Sequence, residues 1–189
     1  GVAGESYRAT QSLRTLVNLD RPDAPHLKLP LAVVNTSVAR TLDPHWALAG
    51  PAISDWLATL VANDRWLSDG DRLAVLKETR ALVFDRNGTE AEHTAAIWRD
   101  NPAARLAPGE EALPLNALFA VEADGDPFVA PWIRRYGCAG FVTQLIEVVV
   151  RPLVHLLLAY GLASEAHGQN LVLIHRDGWP VRIALRDFS

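Results

Sequence analysis

The chain has 189 residues, 49% hydrophobic and 21% charged, enough apolar content to bury a core and too little net charge for a disordered segment. Its 18 Lys and Arg against 22 Asp and Glu give a net charge of −4, which disfavours a nucleic-acid binder built on a basic face. Cys138 is the single cysteine; this excludes an internal disulfide framework and a multi-cysteine zinc site, and a reducing compartment, the cytoplasm, is expected.

In chain order, residues 12–17 read as extended or loop-like. Residues 29–34 are apolar and β-branched and predict a strand. Asn35, Thr36 and Ser37 then offer helix N-caps, with a helix expected to start near Thr36. Apolar residues at helical spacing predict a helix over 51–62, with Pro51 in its first turn. A short helix over 71–79 precedes a strand at 81–84, and Arg86-Asn87-Gly88 marks a turn. Strands are expected at 93–98 and 113–121, and a loop at 124–131.

The most apolar stretch follows, with a long helix over 140–159 and Gly161 as its C-cap. Glu147, Arg151, Pro152 and His155 interrupt it, which favours a buried amphipathic helix over a membrane span. Strands at 171–174 and 181–185 flank Asp177-Gly178, a strong hairpin signal. Strands and helices mix without a βαβ rhythm, so the fold class is α+β. Cys138 is expected to be a small buried packing residue. The five histidines at 26, 45, 93, 155 and 175 show no metal-ligand spacing. Trp179, in the hairpin, is a candidate neighbour of a nucleotide.

The chain lacks the P-loop, dinucleotide-binding, zincin and nucleophile-elbow motifs. Two polar constellations stand outside those frames. Glu165-Ala166-His167-Gly168-Gln169-Asn170 lies between the long helix and the closing hairpin, which ends in Arg186-Asp187-Phe188. The hairpin is expected to return Asp187 towards Glu165, His167 and Asn170; the Glu165, Asn170 and Asp187 oxygens together are hard ligands suited to Mg²⁺ accompanied by phosphates. The pattern His-x-x-Asn, hairpin, Asp is similar to the metal-holding part of kinase-like phosphotransferases. Gly168 and Gln169 stand where such an enzyme carries its base. A carboxylate attacking the α-phosphate needs no base, because it is ionised at neutral pH. The same residues would equally suit a polar loop without a ligand.

The second constellation comprises Ser12, Arg14, Thr15, Lys28, Thr36 and Arg40. Arginine forks, a lysine point charge and hydroxyls suit triphosphate or carboxylate recognition. A solvated basic face is the alternative.

Taken together, the segments resemble the NRPS-independent siderophore synthetases of the IucA/IucC family. The matching text is Ser12-x-Arg14-Thr15, Lys28-Leu-Pro-Leu through Asn35-Thr36-Ser37-x-x-Arg40, Gly50-Pro51-x-Ile53-Ser54-x-Trp56-Leu57, Trp98-Arg99-Asp100-Asn101-Pro102, Glu165-Ala166-His167-x-Gln169-Asn170 and Arg186-Asp187-Phe188. No single piece is specific, but the ordered set is.

The resemblance implies an ATP-dependent ligase in the central portion, fingers and palm, of a hand-like fold. Such enzymes adenylate a carboxylate of citrate or a related polycarboxylic acid. An amine, hydroxylamine or alcohol then attacks to give an amide or ester. Ser12, Arg14, Lys28, Thr36 and Arg40 would hold ATP phosphates, and His167, Gln169 and Asn170 would contact the nucleotide. Arg40 and His167 would be catalytic, and Glu165 and Asp187 would hold Mg²⁺. Arg99 lies in a family-like segment of less defined role.

The resemblance also implies a fingers-like part over 1–137 and the start of a palm over 138–189. Family members are longer at both ends. The chain contains no methionine and opens at Gly1, so a processed or excised chain is expected, and no signal-peptide pattern is visible there. Small-molecule substrates, neither nucleic acid nor membrane, and a possible homodimer complete the expectation. A kinase-like phosphotransferase and a non-catalytic nucleotide-binding module remain the alternatives.

Overall fold

The structure, a computed structural model, describes residues 4–31, 33–35, 38–84, 87–88 and 90–189. Thr36, Ser37 and Arg86 lie outside the described residues. The fold is α+β, with antiparallel sheets and packed helices. It divides into two compact units that interleave along the chain. The first comprises Gly1–Thr59, Leu76–Ala104 and Asp187–Ser189; the second comprises Leu60–Val75 and Arg105–Arg186. The position 137/138 falls inside the second unit.

The first unit is built on a five-stranded sheet of order β1-β2-β3-β8-β7. Its strands are β1 (Tyr7–Ala9), β2 (Thr15–Asn18), β3 (His26–Lys28), β7 (Glu78–Val83) and β8 (Ala95–Arg99). The strand expected over 29–34 instead lies just before it, at β3. Pro25 and Pro30 bracket β3, and a proline cannot donate to a ladder.

A two-stranded ribbon, β4 (Val34–Asn35) with β5 (Val38–Ala39), replaces the helix expected near Thr36. The first long helix, α1 (Pro44–Asn63), starts seven residues before the expected boundary, so Pro51 sits inside it. Asp43 supplies the overlooked cap: its Oδ1 accepts from the N–H groups of His45 (2.8 Å) and Trp46 (3.1 Å), and Pro44 opens the first turn.

Strand alternation places Ala95, Ile97 and Arg99 on the buried face of β8. Leu42, Ala47, Ala95 and Ile97 form a core cluster, with Ala81 and Val83 packed against it.

The second unit carries the four-stranded sheet β6-β11-β10-β9, made of β6 (Leu73–Val75), β9 (Glu111–Pro114), β10 (Leu171–Arg176) and β11 (Trp179–Leu185). The segment expected as a helix over 71–79 is therefore strand. All three residues of β6 are buried beside β11, its parallel neighbour, and a short, fully apolar run is read equally well as either element. The strand expected over 113–121 ends at Pro114 and gives way to a 3₁₀ turn at Leu115–Phe119.

Asp177 and Gly178 form the two-residue hairpin with positive φ of 53° and 84°, the type I′ geometry whose twist matches paired strands. The unit's helices are the four-residue α2 (Arg65–Ser68), α3 (Ala130–Tyr136), which starts inside the expected 124–131 loop, and α4 (Cys138–Tyr160). Gly161 closes α4 in the left-handed conformation at φ 67°.

The burial expected of α4 holds for one row only, Phe141, Val149, Pro152 and Leu156. A second row, Val142, Ile146, Val150, Val154 and Leu158, is exposed. Among the described residues, α4 alone is long and apolar enough to cross a membrane. Cys138, at its start, is exposed rather than buried.

Candidate functional site

The buried face of the first sheet ends in charge rather than hydrocarbon. Lys28 and Arg99 are each 3% exposed and Glu78 is 1% exposed. Burial of such groups is tolerated only when they are paired. The pairing comes from register: Lys28 stands opposite Thr15 on β2 and Ile97 on β8, and Glu78 stands opposite Arg99. The remaining partner arrives from the chain's last residues, where Asp187 adopts a positive φ of 77°. Lys28 Nζ and Arg99 Nη2 both donate to Asp187 Oδ1, the latter at 2.9 Å. Arg99 Nη2 also lies 3.4 Å from Glu78 Oε1.

Arg14 joins from the turn before β2, where its Nη1 donates to the Thr41 carbonyl at 2.8 Å. Burial lowers the Arg14 pKa; the Asp187 charge opposes that, while Arg40 and Arg99 add to it. Burial pushes the Asp187 carboxyl up, but the charges of Arg99, Lys28 and Arg14 outweigh it and hold the group below the usual aspartate value. Lys28 is lowered, by burial first, with Asp187 working against it. Lys28, Arg99 and Arg14 outnumber Asp187 and Glu78, leaving an excess of positive charge suited to a polyanion.

Ser12 stands in the same turn as Arg14. Its Oγ accepts from the Thr15 N–H at 3.3 Å and shares a hydrogen bond with Thr10 Oγ1 at 3.2 Å. Of the second constellation, Arg14 and Lys28 are thus brought together, with Arg40 close enough to Arg14 for their charges to oppose; Asp187, which the sequence placed with Glu165, His167 and Asn170, joins them through its bonds to Lys28 and Arg99. Thr36 lies outside the described residues. Sequence reasoning missed Glu78 entirely and left Arg99 undefined. The signal for Arg99 was its inward register on β8; Glu78 had none, because its direction depends on an irregularity in β7.

The second unit holds the remaining candidates in the 162–170 connection. Glu165 and His167 are exposed, with His167 Nε2 3.9 Å from Glu165 Oε1. The Gln169 N–H donates to His167 Nδ1 at 3.3 Å, and the Gln169 carbonyl accepts from Arg186 Nε at 2.8 Å. Asn170 is buried, its Nδ2 donating to the Glu165 carbonyl at 3.1 Å. Gly168 packs against Asn116, where an added Cβ would lie 3.0 Å from the Asn116 Cβ. The Trp179 ring packs against Tyr136 of α3, ring centroids 4.9 Å apart. Among the described residues no group of three or more His, Cys, Asp or Glu side chains could hold a metal.

The model of the IucA / IucC family matches residues 1–120. The chain belongs to the IucA/IucC family. A second model, the ferric iron reductase FhuF-like transporter, matches residues 140–189, the stretch of α4, β10 and β11.

The chain is 40% identical, over 189 residues, to the citryl-spermidine/3,4-dihydroxybenzoyl-citryl-spermidine:spermidine ligase of Bacillus anthracis, covering all of this chain and 31% of that protein. It is 37% identical over 200 residues to the aerobactin synthase of Escherichia coli, covering all of this chain and 34% of that one. Among solved structures, the petrobactin biosynthesis protein AsbB of Bacillus anthracis superposes with a TM-score of 0.93 at 40% identity, over 98% of this chain and 31% of that chain. This likeness confirms the expected α+β fold, which matches part of that longer structure. The chain spans about a third of the length of the relatives it matches.

Proposed function

We propose that this chain is the phosphate-handling portion of a cytoplasmic, ATP-dependent siderophore synthetase. The enzyme adenylates a carboxylate of citrate or a related polycarboxylic acid and condenses it with an amine, hydroxylamine or alcohol. The observation that carries this reading is the buried cluster of Lys28, Arg99 and Asp187 with Arg14 beside it, in a chain similar over its full length to proteins named citryl-spermidine ligase and aerobactin synthase.

In this reading Lys28, Arg14 and Arg40 bind the triphosphate, and their charge stabilises the transferring α-phosphate and the departing pyrophosphate. The carboxylate substrate attacks as the anion it already is, so no general base is required. His167, Gln169 and Asn170 contact the nucleotide, and the His167 ring is the candidate for holding a proton near the reacting groups. Asp187 fits Mg²⁺ only as a shared ligand. It supplies one carboxylate, with Oδ1 engaged by two cations, and Mg²⁺ commonly takes one or two carboxylates together with substrate phosphates. Glu165 is the second candidate donor. Bound there, the ion would add Lewis-acid stabilisation of phosphate charge.

The test is the nucleotide product. The full-length protein is incubated with Mg-ATP, a panel of polycarboxylates and hydroxylamine. AMP, pyrophosphate and a hydroxamate are expected, and Asp187→Asn should abolish them. ADP with a phosphorylated product would establish a phosphotransferase instead. ATP binding without turnover across the whole panel would leave a non-catalytic module. A homodimer is the expected oligomeric state and is read by sedimentation.

A further inference from the structure

A bulge in β7, two positions on α1 and the residues after Asp187 converge on one buried carboxylate. Glu78 begins β7, and the register between β7 and β8 slips by one residue between Glu78 and Arg80. Such a bulge re-aims side chains: Thr79 and Arg80 are both exposed, while Glu78, which unbroken alternation from Ala81 would send outward, turns into the core opposite Arg99.

Helix α1 is shaped to receive it. Ser54, fully buried, accepts from the Glu78 N–H at 3.0 Å and shares its own proton between the carbonyls of Glu78 (3.3 Å) and Pro51 (3.1 Å). One turn earlier, a Cβ on Gly50 would lie 2.0 Å from Glu78 Oε2, so only glycine leaves room for the carboxylate. Glu78 Oε1 then gathers the end of the chain. It accepts from Ser189 Oγ at 3.0 Å and the Phe188 N–H at 3.4 Å, and it faces Arg99 Nη2 at 3.4 Å. Its Oε2 has no hydrogen-bond partner among the described residues.

We infer that Glu78 is a positioning residue: held by Gly50 and Ser54, it fixes Arg99 and the backbone after Asp187, so that Asp187 Oδ1 is pinned by two cations and Oδ2 is left for a shared cation. It touches neither nucleotide nor metal and acts through Asp187. Partners one shell out from a metal ligand commonly govern its orientation, and losing them costs roughly 10–100-fold in metal affinity or activity. This inference rests on the ATP reading for the identity of the ligand, but the coupling between Glu78 and Asp187 does not.

Two readouts in the full-length protein separate the claims. The first uses no ligand: melting temperatures of Glu78→Gln, Asp187→Asn and the double variant. Non-additive losses are expected, and additive ones would overturn the inference. The second is the Mg²⁺ concentration for half-maximal ATP binding, expected to rise about tenfold in Glu78→Gln. Metal-free ATP binding should be unchanged or tighter, since one negative charge has gone. A purely structural role would weaken both bindings alike and would sink the proposal.

Gly50→Ala displaces the carboxylate while keeping its charge, and should reproduce the Mg²⁺ effect should Glu78→Gln fold poorly. Wild-type Mg²⁺ dependence in both variants would overturn the inference. Non-additivity in a protein that binds no ATP would remove the nucleotide reading and leave the positioning role standing.

Discussion

At Arg99 one guanidinium meets two carboxylates, with Nη2 2.9 Å from Asp187 Oδ1 and 3.4 Å from Glu78 Oε1. Replacing it by leucine strands Glu78, whose side chain is fully buried. A cost of about 3–5 kcal/mol is expected in denaturant unfolding, as when one partner of a buried pair is removed. Asp187 makes a different prediction. Its carboxyl is held below the ordinary value by Arg99, Lys28 and Arg14 against the cost of burial. A depressed folded-state pKa contributes stability that is complete above the unfolded value of about 3.9 and is lost as pH falls through the folded value. Asp187→Asn should therefore flatten the acid limb of the stability curve below about pH 4. The charge types of Lys28 and Asp187 were legible from sequence; that they share a hydrogen bond was not, because 159 positions separate them.

Among elements, the β10–β11 hairpin shows how much a local signal can carry. Asp177-Gly178 needs no tertiary help to turn, and both expected strands form, each running two residues further towards the turn than the sequence placed it. What the sequence did not show is that α3 leans on this turn. A Cβ on Gly178 would come 2.3 Å from Trp132 Cδ1. Gly178→Ala should thus cost more than the 1 kcal/mol or so of a positive-φ alanine, and thermal melting should fall accordingly.

His175 lies under the same tryptophan, ring centroids 4.8 Å apart, and its Nδ1 accepts from the Gly178 N–H at 3.2 Å. Burial lowers its pKa, with Glu111 and Asp177 opposing. The unfolded chain then binds the proton first, so stability should drop as pH falls from about 6.5 through the folded value. His175→Gln should lose that dependence.

At the start of α2, Asp64 caps Leu67 N–H at 2.8 Å and accepts from Tyr160 Oη at 2.6 Å, with His155 Nε2 2.8 Å away. The His155 and Tyr160 hydrogen bonds, in that order, keep its carboxyl well below the ordinary range. Asp64→Ala should cost about 1–2 kcal/mol in denaturant unfolding.

Over the whole molecule, the two units interleave, and the chain passes between them after residues 59, 75, 104 and 186. A fragment ending at 104 would lose Asp187 and leave Lys28 and Arg99 buried without it. Its complement, 105–189, would lose β6, the parallel neighbour of β11. Neither fragment should show a cooperative thermal transition by circular dichroism; a sharp melt from either would contradict this.

Sequence alone determined the class of the fold, the long helix with its glycine stop, the closing hairpin, and the family, because each rests on a local pattern or on an ordered set of short motifs. Only the tertiary structure decided which faces are buried and which charges meet. A bulge in β7 turns Glu78 inward, a glycine on α1 admits it, and a strand register sets Arg99 against it. These are pairings between distant segments, and no residue's own neighbours in sequence encode them.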